Sequence, residues 1–282
     1  MATPNTAVTT GRSDIDALKA RLKSTWMAGN YDYFSRFMES SAVEFLDRIG
    51  LPTSGSLLDV ACGSGQVALV AARRGLAVRG CDIATNSIAA ARGRAQSEGL
   101  PATFDEADAE DLPYADGTFD VVTSMFGAMF APRPDLVARE LVRVAKAGGR
   151  VAMANWTKEG FIGRMFRTFS KFLAPPGMPS PLLWGDEAAV RERFGAASDL
   201  RLTRVNYRFD YAFSPAKVVE FFREYYGPTT RAFEALSESD RTALRGELVE
   251  LWQASNLSKD PDRTIVDGEY LEVVAVKRSQ SM

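Results

Sequence analysis

The run Leu57-Leu58-Asp59-Val60-Ala61-Cys62-Gly63-Ser64-Gly65 decides how this chain is read. Residues 56–60 are mostly apolar and bounded by turn formers, as in a short buried strand. Gly63 and Gly65 then permit a tight turn and close approach of a ligand to the backbone. An apolar helical pattern follows over about 65–74, and a helix beginning there presents unbonded N–H groups in its first turn. Asp59 falls at the strand end beneath the turn, where a carboxylate can orient a cationic amine. Taken alone, the run also suits a plain strand–turn–helix with a solvated Asp.

Outward from this unit the pattern alternates. Residues 76–82 read as a strand and 85–98 as a helix; 102–107, 119–124 and 150–156 read as strands, with a helix over 133–146 before the last. This is the spacing of a doubly wound, mostly parallel α/β sheet with helices on both faces. Upstream, helical patterns over 14–28 and 31–49 form a predicted N-terminal helical lid (13–50), preceded by a polar tail over 1–12 expected to be disordered. Downstream, a Phe-rich helical stretch, a proline cluster and a helix near 186–194 precede a strand over 200–213. Two or three helices over 215–256 and a last strand over 270–276 follow. The expected organisation is a core over 51–156, a helical substrate cap over 157–200 and 214–264, and final strands within 201–213 and 265–280, the last antiparallel.

Composition narrows the chemistry. The 282 residues are 46% hydrophobic and 25% charged, with 34 Lys+Arg against 36 Asp+Glu, a formal net charge of −2. That balance carries no electrostatic footprint for nucleic acid. There is no histidine and there are two cysteines. A Ser-His-Asp triad, a histidine base and a thiolate zinc site are therefore excluded, and no metal is expected. No stretch approaches the roughly 20 apolar residues of a membrane span, and the start lacks an apolar signal core, so a cytoplasmic location is expected.

Two further acids extend the reading. Asp82 closes the second strand, where nucleotide sites hold an acid that accepts from ribose hydroxyls. Its competing role, capping the helix at 85, can be filled by Thr85 itself. In the acidic loop over 105–111, Asp108 can accept a hydrogen bond from an exocyclic amine. Asp59, Asp82 and Asp108 together outline a ligand with an amine, a ribose and a base.

The blocks LLDVACGSG (57–65), RGCDIATNSI (79–88), DEADAEDLPYADGTFDVV (105–122) and ELVRVAKAGGRVAMANW (140–156), in this order, resemble the class I S-adenosylmethionine (SAM)-dependent methyltransferases. Within these the chain looks most like the small-molecule group that includes the ubiquinone/menaquinone biosynthesis methyltransferases. The resemblance covers about 50–156 and implies a Rossmann-like fold and SAM as methyl donor, with S-adenosylhomocysteine (SAH) as product. It implies that Asp59, with the turn Ala61, Gly63, Ser64 and Gly65, holds the methionine part. It implies that Asp82 binds the ribose, Ile83 packs on the adenine, and Asp108 and Ala109 read its edge. Ser124, Met125 and Phe126 would line the methyl-transfer pocket, with Met129 closing it. Ala61 departs from the family, which often has glycine there; alanine is tolerable if its φ is negative. Tyr31 and Tyr33 follow the Gly29-Asn30 break, where the lid could fold over SAM.

Two alternatives use the same residues. Gly63-Ser64-Gly65-Gln66-Val67-Ala68 matches G-x-G-x-x-A, so a NAD(P)-dependent oxidoreductase is possible, although Asp59 would repel a pyrophosphate and no hydride-transfer constellation is legible. A non-catalytic SAM-binding protein would need a blocked acceptor pocket. For a methyltransferase, in-line displacement at a sulfonium can be driven mainly by proximity, without a positioned base. Aromatic residues concentrated in the additions, among them Trp156, Phe161, Met165, Trp184, Tyr207 and Tyr225, suggest an apolar or aromatic small acceptor. For the stripe Phe161, Met165, Phe166, Phe169 and Phe172, burial of a cap helix's own face is the better reading than membrane contact. Neither of the nucleic-acid methyltransferase motifs is present, and a monomer or homodimer is expected.

Overall fold

The computed structural model describes residues 12–175, 177–195 and 198–279. Helices α1 (Arg12–Trp26), α2 (Tyr31–Ser35) and α3 (Glu39–Ile49) come first. The core then alternates β1 (Ser56–Val60), α4 (Gln66–Arg73), β2 (Ala77–Asp82), α5 (Thr85–Ser97), β3 (Ala102–Glu106), β4 (Phe119–Met125), α6 (Pro134–Val144) and β5 (Ala145–Trp156). Beyond it lie α7 (Phe161–Phe169), a 3-10 turn (Pro181–Gly185), α8 (Glu187–Phe194) and β6 (Ser198–Tyr211). The chain closes with α9 (Pro215–Tyr225), α10 (Gly227–Glu234), α11 (Glu238–Ser255) and β7 (Thr264–Lys277).

The seven strands form one sheet in the order β3-β2-β1-β4-β5-β7-β6. β1 to β5 pair in parallel, and β7 runs antiparallel to both β5 and β6. This is the doubly wound, mostly parallel sheet with an antiparallel last strand that the alternation implies. Leu57, Leu58, Val60, Val121 and Val122 are all buried, because helices cover both faces of the central strands. Strand order reverses between β1 and β4, which opens a crevice at their carboxyl ends.

Three expectations change. The helical pattern over 31–49 is broken at a 3-10 turn, Arg36–Met38. Ser35 donates its hydroxyl to the Asp32 carbonyl at 2.9 Å, and Ser35 is wholly buried; such side-chain bonds compete with helix propagation. β7 begins at Thr264, six residues before the predicted strand, because the alternating 264–270 segment pairs fully with β6. Arg12 belongs to α1, and the rest of the expected tail, 1–11, lies outside the described residues. The cap has three helices after β6.

Candidate active site

A cleft opens over the carboxyl ends of β1, β2 and β4. Its wall brings together Tyr31, Ala61, Gly63, Asp82, Ile83, Asp108, Ala109 and Phe126. A smaller chamber alongside is lined by Tyr31, Met38, Asp59, Ala61, Gly63, Gln66 and Met125. Tyr31 faces both, and a Cβ on Gly63 would stand 2.8 Å from its ring. Gly63 therefore lets the tyrosine lie directly on the turn.

The turn itself is internally bonded. Cys62 N–H donates to the Cys81 carbonyl and Gly65 N–H to the Cys62 carbonyl. Gly63 N–H donates to one oxygen of Asp82 at 2.9 Å, and Ala84 N–H to the other at 2.8 Å. Asp82 thus ties the end of β2 to the glycine turn, with spare lone pairs on both oxygens. Thr85 makes no side-chain cap for α5. Burial raises the Asp82 carboxyl above its ordinary value.

Asp59 is 2% exposed. Its carboxylate accepts from Ala68 N–H in the first turn of α4, at 3.1 Å, and from the Thr123 hydroxyl, at 3.0 Å. Burial pushes its pKa up to about 7 despite these bonds, and the charge of Asp82 adds to the rise. The favourable anion position at the start of α4 is therefore held by the protein's own carboxylate.

Ala61 and Phe126 have φ of +55° and +57°. These are left-handed conformations that L residues adopt at a cost of about 1–2 kcal/mol. Ala61 therefore does not meet the negative-φ condition; strain is held at a turn where glycine would carry none. The two turns lie against each other: a Cβ on Gly127 would overlap the Ala61 carbonyl oxygen. Both strained residues line the cleft, where such strain commonly gathers.

The third carboxylate, Asp108, accepts from Glu110 N–H at 2.9 Å and pairs with Lys19 of α1. Lys19 also pairs with Glu110, whose side chain has no solvent exposure and which binds Arg133 at 2.7 Å. Burial opposes the Lys19 charge, but hydrogen bonds to Asp108 and Glu110 outweigh it and hold the ammonium above its usual range. Lys23 pairs with Glu106. Lys19, Leu22 and Trp26 thereby form the outer wall of the cleft, with Phe130 opposite; the Trp26 and Phe130 rings are 5.0 Å apart. None of these four is a predicted site residue. Leu22 and Trp26 show at helical spacing, with Ile15 and Leu18, as an apolar face, and nothing local marks that face as a cleft wall.

Other predicted residues lie elsewhere. Ser64 is wholly buried behind the turn, Gly65 packs toward Leu69 and Ala91, and Ser124 accepts from Ala128 N–H. Met129 is in the core. Tyr33 is 42% exposed and rests on Tyr225 at 4.8 Å. Trp156 stacks behind Phe126 at 3.8 Å and 4°. Tyr207 packs edge-on to Trp156, Phe161 on Trp252, and Trp184 under Arg193. Met165 is buried with them. The expected acceptor lining of Trp156, Phe161, Met165, Trp184, Tyr207 and Tyr225 is thus mostly cap and sheet core, since large aromatics gain most by burying against each other. Both cysteines are buried and unbridged. Among the described residues no cluster suits a metal ion, and no helix is long and apolar enough to cross a membrane.

A methyltransferase-domain family model matches residues 58–153. An uncharacterised protein of Mycobacterium tuberculosis (strain ATCC 25618 / H37Rv) is 34% identical over 279 residues, covering 96% of this chain and 98% of that one. Demethylmenaquinone methyltransferase of Thermus thermophilus is 37% identical over 123 residues, 42% of this chain and 56% of that one. The fold is similar to that of the YcgJ protein of Bacillus subtilis, with a TM-score of 0.60 at 17% identity, covering 85% of this chain and 99% of that one.

Proposed function

Because the chain belongs to the class I SAM-dependent methyltransferases, we propose that SAM spans both chambers of the cleft and donates its methyl group to a small apolar or aromatic acceptor. The observation that carries this reading is the placement of three carboxylates along one cleft, beside a turn whose Gly63 and Gly65 N–H groups are already bonded. Acceptors suit an amine, ribose hydroxyls and an exocyclic amine. They do not suit a pyrophosphate, whose place at the start of α4 is taken by Asp59.

In this reading Asp82 takes the ribose hydroxyls, Ile83 and Ala109 hold the adenine between them, and Asp108 accepts from its amine. Asp59 takes the ammonium group. Gln66, whose amide donates one N–H to Ser35, has a second N–H for the methionine carboxylate, to which the Tyr31 hydroxyl can donate its O–H. SAM supplies an electrophilic methyl on sulfur. Phe126 and Met125, at the end of β4, exclude water around that carbon, and alignment supplies the rate without a positioned base.

Titration of the wild-type protein with SAH and, separately, NADH tests the reading. SAH is expected to bind at micromolar Kd and NADH not measurably. NADH binding without SAH binding would instead favour the oxidoreductase.

A further inference from the structure

A second groove lies outside the cofactor cleft, between α7 and the Ser180–Asp186 segment. It encloses about 460 Å³, within the range of small-molecule sites, about 300–1,000 Å³. Leu182, Leu183 and Phe166 give it an apolar face, and Leu183 remains 42% exposed. Arg204 in its wall is neutralised by Glu187 and Glu269. Lys158 and Arg167 are different. Both are exposed, Arg167 donates only to the Lys158 carbonyl at 2.7 Å, and neither forms an ion pair among the described residues. Of the acids present, Asp186 is engaged in capping α8 at 2.9 Å, and Glu159 is exposed beside Lys158.

The groove adjoins the cofactor cleft. Phe166 lines the groove and Phe130 lines the cleft, and their rings are 6.3 Å apart. Two cations without carboxylate partners next to exposed apolar surface match a ligand with an anionic head and an apolar chain. We propose that this groove binds the methyl acceptor, an anionic amphiphile, with its head on Lys158 and Arg167 and its chain along Leu182, Leu183 and Phe166 toward the cleft. The assignment as acceptor rests on the methyltransferase reading, whose apolar acceptor it narrows to one that carries an anionic head; the binding of the amphiphile does not depend on that reading.

The test is calorimetric titration of the whole protein with octyl phosphate, octanol, inorganic phosphate and octyltrimethylammonium. Octyl phosphate is expected to bind at least tenfold more tightly than the other three. Lys158→Ala/Arg167→Ala should weaken it tenfold or more, as should Leu183→Glu, while SAH affinity stays within twofold. Equal binding of octanol or of the cationic analogue would overturn the proposal, as would unchanged octyl phosphate binding by the double variant. So would sedimentation with phosphatidylglycerol vesicles in the absence of octyl phosphate binding, which would make the surface a lipid contact. Absence of SAH binding in the same samples would remove the methyltransferase reading while leaving the groove result to stand on its own.

Discussion

Among the described residues Asp59 has two hydrogen-bond donors, no cation and almost no solvent, so burial pushes its carboxyl up to about 7. The folded protein thus holds this proton more tightly than the unfolded chain, whose value is 3.8. The group's contribution to stability is full below about pH 4 and is lost as pH rises through 7. A bound ammonium group reverses the balance, because an adjacent positive charge favours the ionised carboxylate. SAH affinity is therefore expected to rise several-fold from pH 6 to 7.5, with proton release on binding; the ligand amine, ordinarily near pKa 8, stays charged over that span. Titrations at pH 6.5 in two buffers of different ionisation enthalpy measure the release. A pH-independent affinity would place the amine away from Asp59. The three acids were legible in the sequence because each ends a strand or opens a turn. The left-handed φ of Ala61 was not, since alanine carries no signal for it, nor does the sequence show that Ala61 lies against Gly127.

The helix α1 depends on Gly29. That residue has a φ of +69°, and a Cβ there would stand 2.7 Å from the Tyr225 carbonyl oxygen. The adjacent Asn30 N–H donates to the same oxygen. The hinge of α1 is therefore seated on α9, and the middle and last turn of the helix are held by Lys19 on Asp108 and Lys23 on Glu106, at and just after the end of β3. Gly29→Ala is expected to cost about 1–3 kcal/mol, from strain and steric overlap together. It should also raise amide exchange across residues 14–26 more than in β1 or β4. Uniform exchange across both would show that the hinge does not hold the helix. The sequence marked Gly29-Asn30 as a helix stop, and it is one. That α1 walls the cleft could not be read, because Lys19, Lys23 and Trp26 reach Asp108, Glu106 and Phe130, each more than 80 positions away. The cap aromatics misled for a related reason: composition shows that Trp184 or Phe161 is large and apolar, but only packing shows which side faces a neighbour.

A charge pair joins the N-terminal helices to the last strand. Arg48 of α3 reaches Glu272 of β7 at 2.8 Å, with Glu272 only 1% exposed, and also donates to Tyr270. Arg48→Ala would strand a buried carboxylate in the sheet. The expected loss is about 3 kcal/mol, toward the low end of a buried pair because Arg48 is itself about a third exposed. Adding Glu272→Gln should recover part of it, and urea unfolding of both variants checks this. A loss below about 0.5 kcal/mol would class the pair with ordinary surface contacts. The strand–helix alternation made the parallel core readable from end to end, and the late strands made the antiparallel edge readable. The union of the N-terminal helices and the core into one cleft is a property of long-range contacts. The most direct test of that cleft is a crystal structure of the protein with SAH. The ribose hydroxyls are expected within hydrogen-bond distance of Asp82, the adenine between Ile83 and Ala109 with its amine on Asp108, and the homocysteine amine toward Asp59. An adenosine bound elsewhere, or a ribose turned away from Asp82, would contradict the account.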